Sequence, residues 1–299
     1  MNKNSVFAAG WRFAAAAGVA MCATQAIAQQ TLLLAQPAIS KDRLAFVYAG
    51  DLWVASRDGK NPQRLTSHPA SEFNPQFSPD GQWIAFSAGY DSNVDVYVIS
   101  VNGGQPKRLT WHPRVDLVSG WSADGKRVLF SSPREVNNGR SNQLYEVSVE
   151  GGFEKKVMEA HAFEGAWSAD GKKLAYRPYR KGHAGGAGWR QNRGGSTPPV
   201  WIVDPTAGTW DKVPHVNASD YSPQWAGSDV IFISDRNDGA ANVFRYSTAS
   251  KALTQLTKEN TWDAKSVNVN GNSAVYDAGG RIKEIDLTTG AVKEIVVTI

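Results

Sequence analysis

The chain has 299 residues, with 32 Lys and Arg against 28 Asp and Glu, and its formal charge is +4. This balance argues against a dedicated nucleic-acid-binding protein, which normally carries a strong basic excess. The only cysteine is Cys22, so disulfide bonds cannot hold the fold together and a hydrophobic core must do so.

The first 28 residues have the features of a cleavable secretory signal peptide. Lys3 and Arg12 precede an apolar run from Phe13 to Cys22, and residues 26–28 read Ala-Ile-Ala, as at a signal-peptidase site. We predict cleavage after Ala28 and a periplasmic or secreted location. The apolar run is shorter than the roughly 20 residues that a membrane span requires. No later segment has the length and hydrophobicity either, so we expect no membrane span after cleavage.

The remaining chain repeats one sequence unit six times. In its clearest copies an aromatic residue is followed by Ser, any residue, Asp and Gly, and then by an alternating apolar strand. The anchor positions of the six copies are Ile39, Phe77, Trp121, Trp167, Trp225 and Val269. Their spacing of 38 to 58 residues is typical of propeller blades with four strands each.

The repeat predicts an all-β fold. Glycine in the Ser-x-Asp-Gly turn supplies the positive φ that a tight hairpin needs, and helical periodicity is absent after the signal peptide. We predict a six-bladed β-propeller of four-stranded antiparallel blades that occupies residues 29–299. Each blade should consist of consecutive sequence, so that only packing between blades holds the ring. The blades are expected near residues 32–72, 73–116, 117–163, 164–220, 221–263 and 264–299.

Three stretches carry a resemblance to a known family. Residues 90–98 read YDSNVDVYV and are followed by GGQPKRLTWHP at 103–113, residues 188–195 read GWRQNRGG and lead into VWIVD at 200–204, and residues 233–237 read ISDRN. In combination and order they resemble the first propeller of tricorn-like peptidases of the S41 class. The repeats are also similar to those of periplasmic TolB proteins.

The resemblance to tricorn-like peptidases implies a module without its own active site. Full-length members continue into a second propeller, a PDZ module and the peptidase domains, which contain the catalytic Ser and His of an S41-type serine peptidase. No catalytic residue is therefore assigned to this chain. The expected function is substrate gating or docking for oligopeptides, with the peptidase domains or a subunit of the same system as partner, in a truncated or split product.

Two other functions stay open. One is a TolB-like periplasmic module that binds proteins and has no peptidase attached. The other is a stand-alone propeller enzyme, which would need inward-facing carboxylates or a metal centre. The sequence contains neither a Gly-x-Ser-x-Gly elbow nor a His-Glu-x-x-His pair. Residues 120–126 have the spacing of a phosphate-binding loop, but Arg127 stands where Ser or Thr should hold magnesium. We predict no metal and no cofactor.

Two histidines occupy equivalent repeat positions. His68 and His112 lie in Leu-Thr-x-His-Pro segments 44 residues apart, where one blade leads into the next. Repetition could bring these imidazoles to the pore face of the ring, to meet a metal or an acidic peptide. The alternative is a repeated turn that shapes the crossing. We favour the turn, because metal ligands usually combine close spacing with carboxylates.

The fourth unit is about 14 residues longer than the period. Between Gly171 and Val203 it contains seven basic residues and no acidic one, which is typical of a solvated loop. A second interpretation is a contact surface made of Trp189, Arg190 and Arg193. Arginine can bind a peptide carboxylate through two parallel hydrogen bonds, and an exposed indole between arginines favours contact with a partner.

Overall fold

The computed structural model describes residues 29–136, 141–178, 197–237 and 239–299, and all regular secondary structure in these ranges is β-strand. Twenty-four strands form six sheets of four antiparallel strands each. This arrangement confirms the predicted six-bladed propeller.

Each sheet is built from four strands that are consecutive in sequence. Blade by blade, the strands are β1 (Ala35–Ile39), β2 (Arg43–Tyr48), β3 (Asp51–Ser56) and β4 (Gln63–Arg64); β5 (Glu72–Phe77), β6 (Trp83–Ala88), β7 (Asp95–Ser100) and β8 (Lys107–Arg108); β9 (Leu117–Trp121), β10 (Arg127–Ser132), β11 (Gln143–Ser148) and β12 (Lys155–Lys156); β13 (Glu164–Trp167), β14 (Leu174–Arg177), β15 (Trp201–Asp204) and β16 (Thr209–Lys212); β17 (Asp220–Ala226), β18 (Asp229–Ser234), β19 (Asn242–Ser247) and β20 (Leu253–Gln255); β21 (Ala264–Asn270), β22 (Ser273–Ala278), β23 (Arg281–Asp286) and β24 (Val292–Ile295).

The first strand of each blade is the inner strand of the ring. Successive inner strands contact one another, and β1 contacts β21, so the ring closes around a central channel. The ring has two faces. The mouth face carries the connections from each second strand to the third and from each blade to the next. The turn face carries the Ser-x-Asp-Gly turns between first and second strands.

The core lies between neighbouring blades, as six apolar clusters. Every second strand contains a buried aromatic residue at the same repeat position. An aromatic ring at this point fills the space against the adjacent sheet and contributes a large buried area. The six residues are Phe46, Phe86, Phe130, Tyr176, Phe232 and Tyr276.

The Ser-x-Asp-Gly turns combine a local hydrogen bond with a contact to the neighbouring blade. Ser122 Oγ donates to Asp124 Oδ1 at 2.7 Å, and Gly125 has a φ of +69°. A Cβ on Gly125 would lie 3.3 Å from Pro79 in the turn of the preceding blade. Glycine is therefore required both by its left-handed backbone and by the close approach of the neighbouring turn.

The repeated Leu-Thr ending has a structural role. The hydroxyl oxygen of Thr66 accepts a hydrogen bond from the backbone N–H of Leu52 in the third strand, at 2.8 Å. Thr110 and Thr257 accept the corresponding bond in the second and fifth blades. Each threonine thus satisfies a buried backbone donor at the point where its outer strand has ended.

The ring closure differs from the prediction in one respect. The blades are made of consecutive strands as predicted, but packing between blades is not all that holds the ring. Thr31 N–H donates to the carbonyl of Val297 at 2.8 Å, and Leu34 N–H donates to that of Gly280 at 3.0 Å. The segment before β1 therefore bonds to Gly280, which precedes β23, and to Val297, which follows β24, and the inner strand begins at Ala35.

Candidate functional site

The channel is bounded by six seams between inner strands, and a hydrogen bond that involves a side chain crosses every seam. Three of these bonds are buried and three are partly buried, and a buried bond is costly to break because its groups would be left without a partner. In order around the ring, the donors and acceptors are Asn74 N to Gln36 Oε1 (2.7 Å), Trp121 Nε1 to Gln76 O (2.9 Å), Gly165 N to Ser119 Oγ (2.7 Å), Ser222 N to Glu164 Oε1 (2.7 Å), Tyr221 OH to Ala264 O (2.7 Å) and Ile39 N to Asn268 Oδ1 (3.0 Å).

Three inner strands contain a strained residue at the same repeat position. Gln36, Asn74 and Ser222 have φ of +51°, +55° and +52°, and each precedes a proline. The pairing register with the second strand shifts at these points. A left-handed conformation costs a non-glycine residue about 1–2 kcal/mol. Bulges of this kind redirect side chains and occur often beside functional sites. The channel wall is therefore a candidate functional site.

One hydrogen bond joins blades that are not neighbours. Asn268 in β21 donates through Nδ2 to Oε1 of Gln76 in β5, at 2.8 Å. The same Asn268 accepts the N–H of Ile39 in β1, the strand that lies between the two. The Gln76–Asn268 bond therefore passes in front of the first blade inside the channel. The sequence interpretation missed these amides, although they lie one residue before the aligned anchors.

Buried carboxylates begin three of the inner-strand segments on the mouth face. Glu72, Asp116 and Asp220 occupy one repeat position and are at most 1% exposed. Asp220 accepts from Arg236 Nη2 at 2.9 Å and lies 3.1 Å from His215 Nδ1. Each buried charge here has a partner, as burial requires.

Asp116 and Glu72 differ in their partners. Asp116 Oδ2 accepts from Arg134 Nη2 at 2.7 Å. Glu72 has no arginine and accepts from the hydroxyls of Thr66 and Tyr90, at 2.6 and 2.8 Å. Burial raises the pKa of Glu72 above its ordinary value, although the hydrogen bonds from Thr66 and Tyr90 act to lower it. These contacts engage at least one oxygen of each carboxylate, whereas Oδ1 of Asp116 is buried without a hydrogen-bond partner in the described residues.

The two repeated histidines lie in the mouth-face crossings and make one and the same local contact. His68 Nδ1 accepts the backbone N–H of Ala70 at 3.0 Å, and His112 Nδ1 accepts that of Arg114 at 3.1 Å. Both rings therefore make a hydrogen bond within the His-Pro turn. A ligand-binding role for His68 and His112 stays a prediction.

The other predicted site residues cannot be placed. Trp189, Arg190 and Arg193 lie outside the described residues. Within residues 29–136, 141–178, 197–237 and 239–299, no three His, Cys, Asp or Glu side chains are grouped so that they could hold a metal ion. Within the same ranges, no helix has the length and hydrophobicity to cross a membrane.

Two curated proteins illustrate what the chain is similar to. A tricorn protease homolog of Streptomyces coelicolor is 27% identical over 257 residues, which are 84% of this chain and 21% of that protein. The Tol-Pal system protein TolB of Desulfosudis oleivorans is 37% identical over 60 residues, 19% of this chain and 14% of that protein. The chain thus spans about a fifth or less of the length of these relatives.

Solved structures share the fold. The crystal structure of the tricorn protease superimposes with a TM-score of 0.78 at 22% identity, over 90% of this chain and 26% of that one. TolB from Acinetobacter baumannii superimposes with a TM-score of 0.68 at 18% identity, over 85% of this chain and 63% of that one. Residues 31–291 match the family model described as the tricorn protease N-terminal beta propeller domain. Because this match covers the first five blades and all of the sixth except β24, the chain belongs to the family of tricorn protease N-terminal β-propeller domains.

Proposed function

We propose that the chain is a non-catalytic propeller module of a tricorn-like serine peptidase system that handles oligopeptides, and that it acts in gating or docking of substrate. The observation that supports this most is the family match over residues 31–291, which covers every strand of the ring except β24. The mouth-face carboxylates fit a scaffold role, since arginine, histidine or hydroxyl partners already engage them.

The peptidase domains or a subunit of the same system are the partners in this proposal. A periplasmic or secreted location would follow from the signal-peptide pattern of residues 1–28. The contact surface predicted at Trp189, Arg190 and Arg193 would engage the partner domain or the carboxylate of a peptide. If it does, changing both arginines to alanine should weaken binding, and the loss should depend on salt because the contact is a charge pair.

A TolB-like protein-binding module is the second candidate function. It is favoured by the TolB match over 60 residues and by the shared propeller fold. In this case the chain would bind a protein partner on one face, with no peptidase involved. The two candidates differ in the partner that is required and can be separated by a single reconstitution.

The test is the addition of purified residues 29–299 to a tricorn protease homolog from which the matching propeller has been removed. We expect binding and a change in the rate of oligopeptide hydrolysis, with no hydrolysis by residues 29–299 alone. A chain in which Arg190 and Arg193 are alanine serves as the matched variant. Failure to bind the truncated peptidase would exclude the peptidase module and leave the TolB-like function.

A further inference from the structure

The outer strand of the fourth blade has an open backbone edge. β16 is the last strand of its sheet, and its four residues make it twice as long as the outer strands of the first three blades. The N–H of Val213 donates to the carbonyl of Val200 at 3.0 Å, and hydrogen-bonded residues alternate with non-bonded ones along an antiparallel pair. In the register that pairs Trp201 with Lys212, the backbone N–H and C=O groups of Trp210 and Lys212 therefore point away from the sheet.

No other strand covers this edge in the part of the chain that the structure describes. Its outward groups make one hydrogen bond there, from Lys212 N–H to Oδ1 of Asp211 at 2.9 Å. This bond is local and exposed, so an incoming carbonyl can replace it. β24 is equally long, but the side chain of Gln30 bonds to Glu294 within it. Unpaired strand edges are the places where extended segments of other chains add to a sheet.

Two tryptophans form an apolar surface beside the open edge. The rings of Trp201 in β15 and Trp210 in β16 are stacked, with their centroids 6.0 Å apart and their planes at 28°. Tyr176 packs edge-on against Trp201 and holds it in place. Trp210 is 68% exposed, and the other five blades have Pro, Pro, Glu, Leu and Val at its repeat position. An exposed tryptophan beside an open edge favours contact with a partner, because Trp is enriched among the residues that dominate binding energy.

Lys212 is an uncompensated charge on the same surface. The register places it opposite Trp201, and it is exposed and forms no ion pair in the described part of the chain. The first three blades have a basic residue at the same position, and each of these is paired with a carboxylate: Arg64 with Asp51 at 2.8 Å, Arg108 with Asp95 at 2.7 Å and Lys156 with Glu135 at 2.6 Å. A carboxylate from a partner would supply in the fourth blade what the chain itself supplies in the other three.

We propose that β16 is a docking edge for an extended segment of a protein partner, which adds to the fourth blade as a fifth, antiparallel strand. Directly opposed residues of antiparallel strands share one face of the sheet. The partner segment therefore carries a carboxylate opposite Lys212 and an apolar side chain opposite Trp210, in the order acidic residue, any residue, apolar residue. The middle residue lies opposite Asp211, whose carboxylate is already paired with Lys251, so its identity matters little. The inference does not rest on the proposed function, because it requires no peptidase.

The experiment uses residues 29–299 and the synthetic peptide STETVTS, amidated and labelled with fluorescein at its N-terminus. We expect saturable binding by fluorescence anisotropy, with a Kd below about 1 mM. In the proposed pairing the peptide N–H groups of Glu and Val point toward β16, and that of the Thr between them points away. N-methylation of Glu or Val should therefore weaken binding at least about tenfold. The peptide N-methylated at the middle Thr is the matched control and should bind within about twofold of the parent peptide.

Variants of the chain test the two side-chain contacts. Lys212→Glu should bind STETVTS more weakly and should instead prefer STKTVTS, in which Lys replaces Glu. Trp210→Ala should bind both peptides at least about tenfold more weakly. Gln255→Ala is the matched control, because it changes the position equivalent to Lys212 in the outer strand of the fifth blade and should bind like the unmodified chain. All three positions are exposed, so the variants should melt within a few degrees of the unmodified chain.

Three results would overturn the docking edge. They are the absence of saturable binding up to about 5 mM peptide, an equal loss of affinity for all three N-methylated peptides, and an unchanged peptide preference in Lys212→Glu. None of them affects the reconstitution with a truncated peptidase, so the two proposals fail separately.

Discussion

The backbone N–H of Thr31 donates a 2.8 Å hydrogen bond to the carbonyl oxygen of Val297, so that residues at opposite ends of the propeller sequence are joined directly. Three residues after Thr31, the side chain of Leu34 is buried in a cluster that includes Ile282 and Ile295 of the last blade. The first and last blades are thus joined by a hydrophobic contact and by backbone hydrogen bonds together.

Leu34→Ala tests the contribution of this closure to stability. Leu34 is 1% exposed, and truncation of a buried leucine typically lowers the free energy of unfolding by about 2–5 kcal/mol. Leu33→Ala is the matched control, since Leu33 is 79% exposed and should change stability by less than about 0.5 kcal/mol. Urea unfolding followed by tryptophan fluorescence measures both. Equal effects of the two changes would show that the segment before β1 does not hold the ring.

Ser119→Ala tests the hydrogen bonds across the seams. Ser119 Oγ lies 2.7 Å from both the N–H and the carbonyl oxygen of Gly165 in the next blade. Without the hydroxyl, the buried N–H of Gly165 is left without a partner, and unfolding should become easier by about 1–3 kcal/mol. Exposed Ser67, which makes no hydrogen bond in the described residues, is the control as Ser67→Ala. Thermal unfolding of both variants measures the difference between their midpoints. Indistinguishable midpoints would contradict a stabilising role for the hydrogen bond across the seam.

Arg236→Ala tests a buried ion pair on the mouth face. The guanidinium of Arg236 lies about 5.2 Å from the ring centres of Phe232 and Phe244 and pairs with Asp220, which is fully buried. Removing one partner of a buried pair typically costs about 3–5 kcal/mol, and Asp220 would retain its contact with His215. Exposed Arg114 makes no side-chain ion pair in the described part of the chain, so Arg114→Ala should be nearly neutral. Denaturant unfolding measures the free energy of unfolding of both variants. A decrease of less than about 1 kcal/mol for Arg236→Ala would contradict a stabilising role for the ion pair.

The fold could be predicted because one sequence unit occurs six times, and each copy has the residues that form the turns and strands of a blade. The Ser-x-Asp-Gly turns set the hairpins, and the aromatic residue in each second strand sets the packing face, so periodicity alone leads to six blades. Single residues were harder to interpret. Trp83 and Trp121 both lie on strands, yet Trp83 is 47% exposed whereas Trp121 is 8% exposed and donates a hydrogen bond across a seam.

The channel chemistry could not be predicted from the repeat. Gln76 and Asn268 are 192 residues apart and belong to blades that are not neighbours, so no local pattern connects them. The hydrogen bond between Gln76 and Asn268 depends on the diameter of the ring and on the small side chain of Ala38 in the strand between them. The hydrogen bond between Thr31 and Val297 was not predicted for a similar reason, since only the closed ring brings these two residues together.

The last prediction concerns the pH dependence of stability through Asp277. This side chain is 3% exposed, and Oδ1 accepts both the N–H and the hydroxyl of Ser266. Burial raises the pKa of Asp277 above its ordinary value of 3.8, although the bonds from Ser266 act to lower it. A carboxyl whose pKa is raised in the folded state contributes stability that is complete below the unfolded pKa. That contribution is lost as the pH rises through the folded pKa.

Asp277→Asn keeps an acceptor for Ser266 and removes the ionisation, so the variant should gain stability relative to the unmodified chain as the pH rises from about 4. Asp124→Asn is the control of opposite sign. The hydrogen bond from Ser122, followed by that from Lys126 N–H, lowers the pKa of Asp124, so the stability it contributes is present above 3.8 and is lost on acidification. Urea unfolding at pH steps between 3 and 8 gives both differences. If the difference between Asp277→Asn and the unmodified chain stays constant across this range, Asp277 does not have the raised pKa that its burial implies.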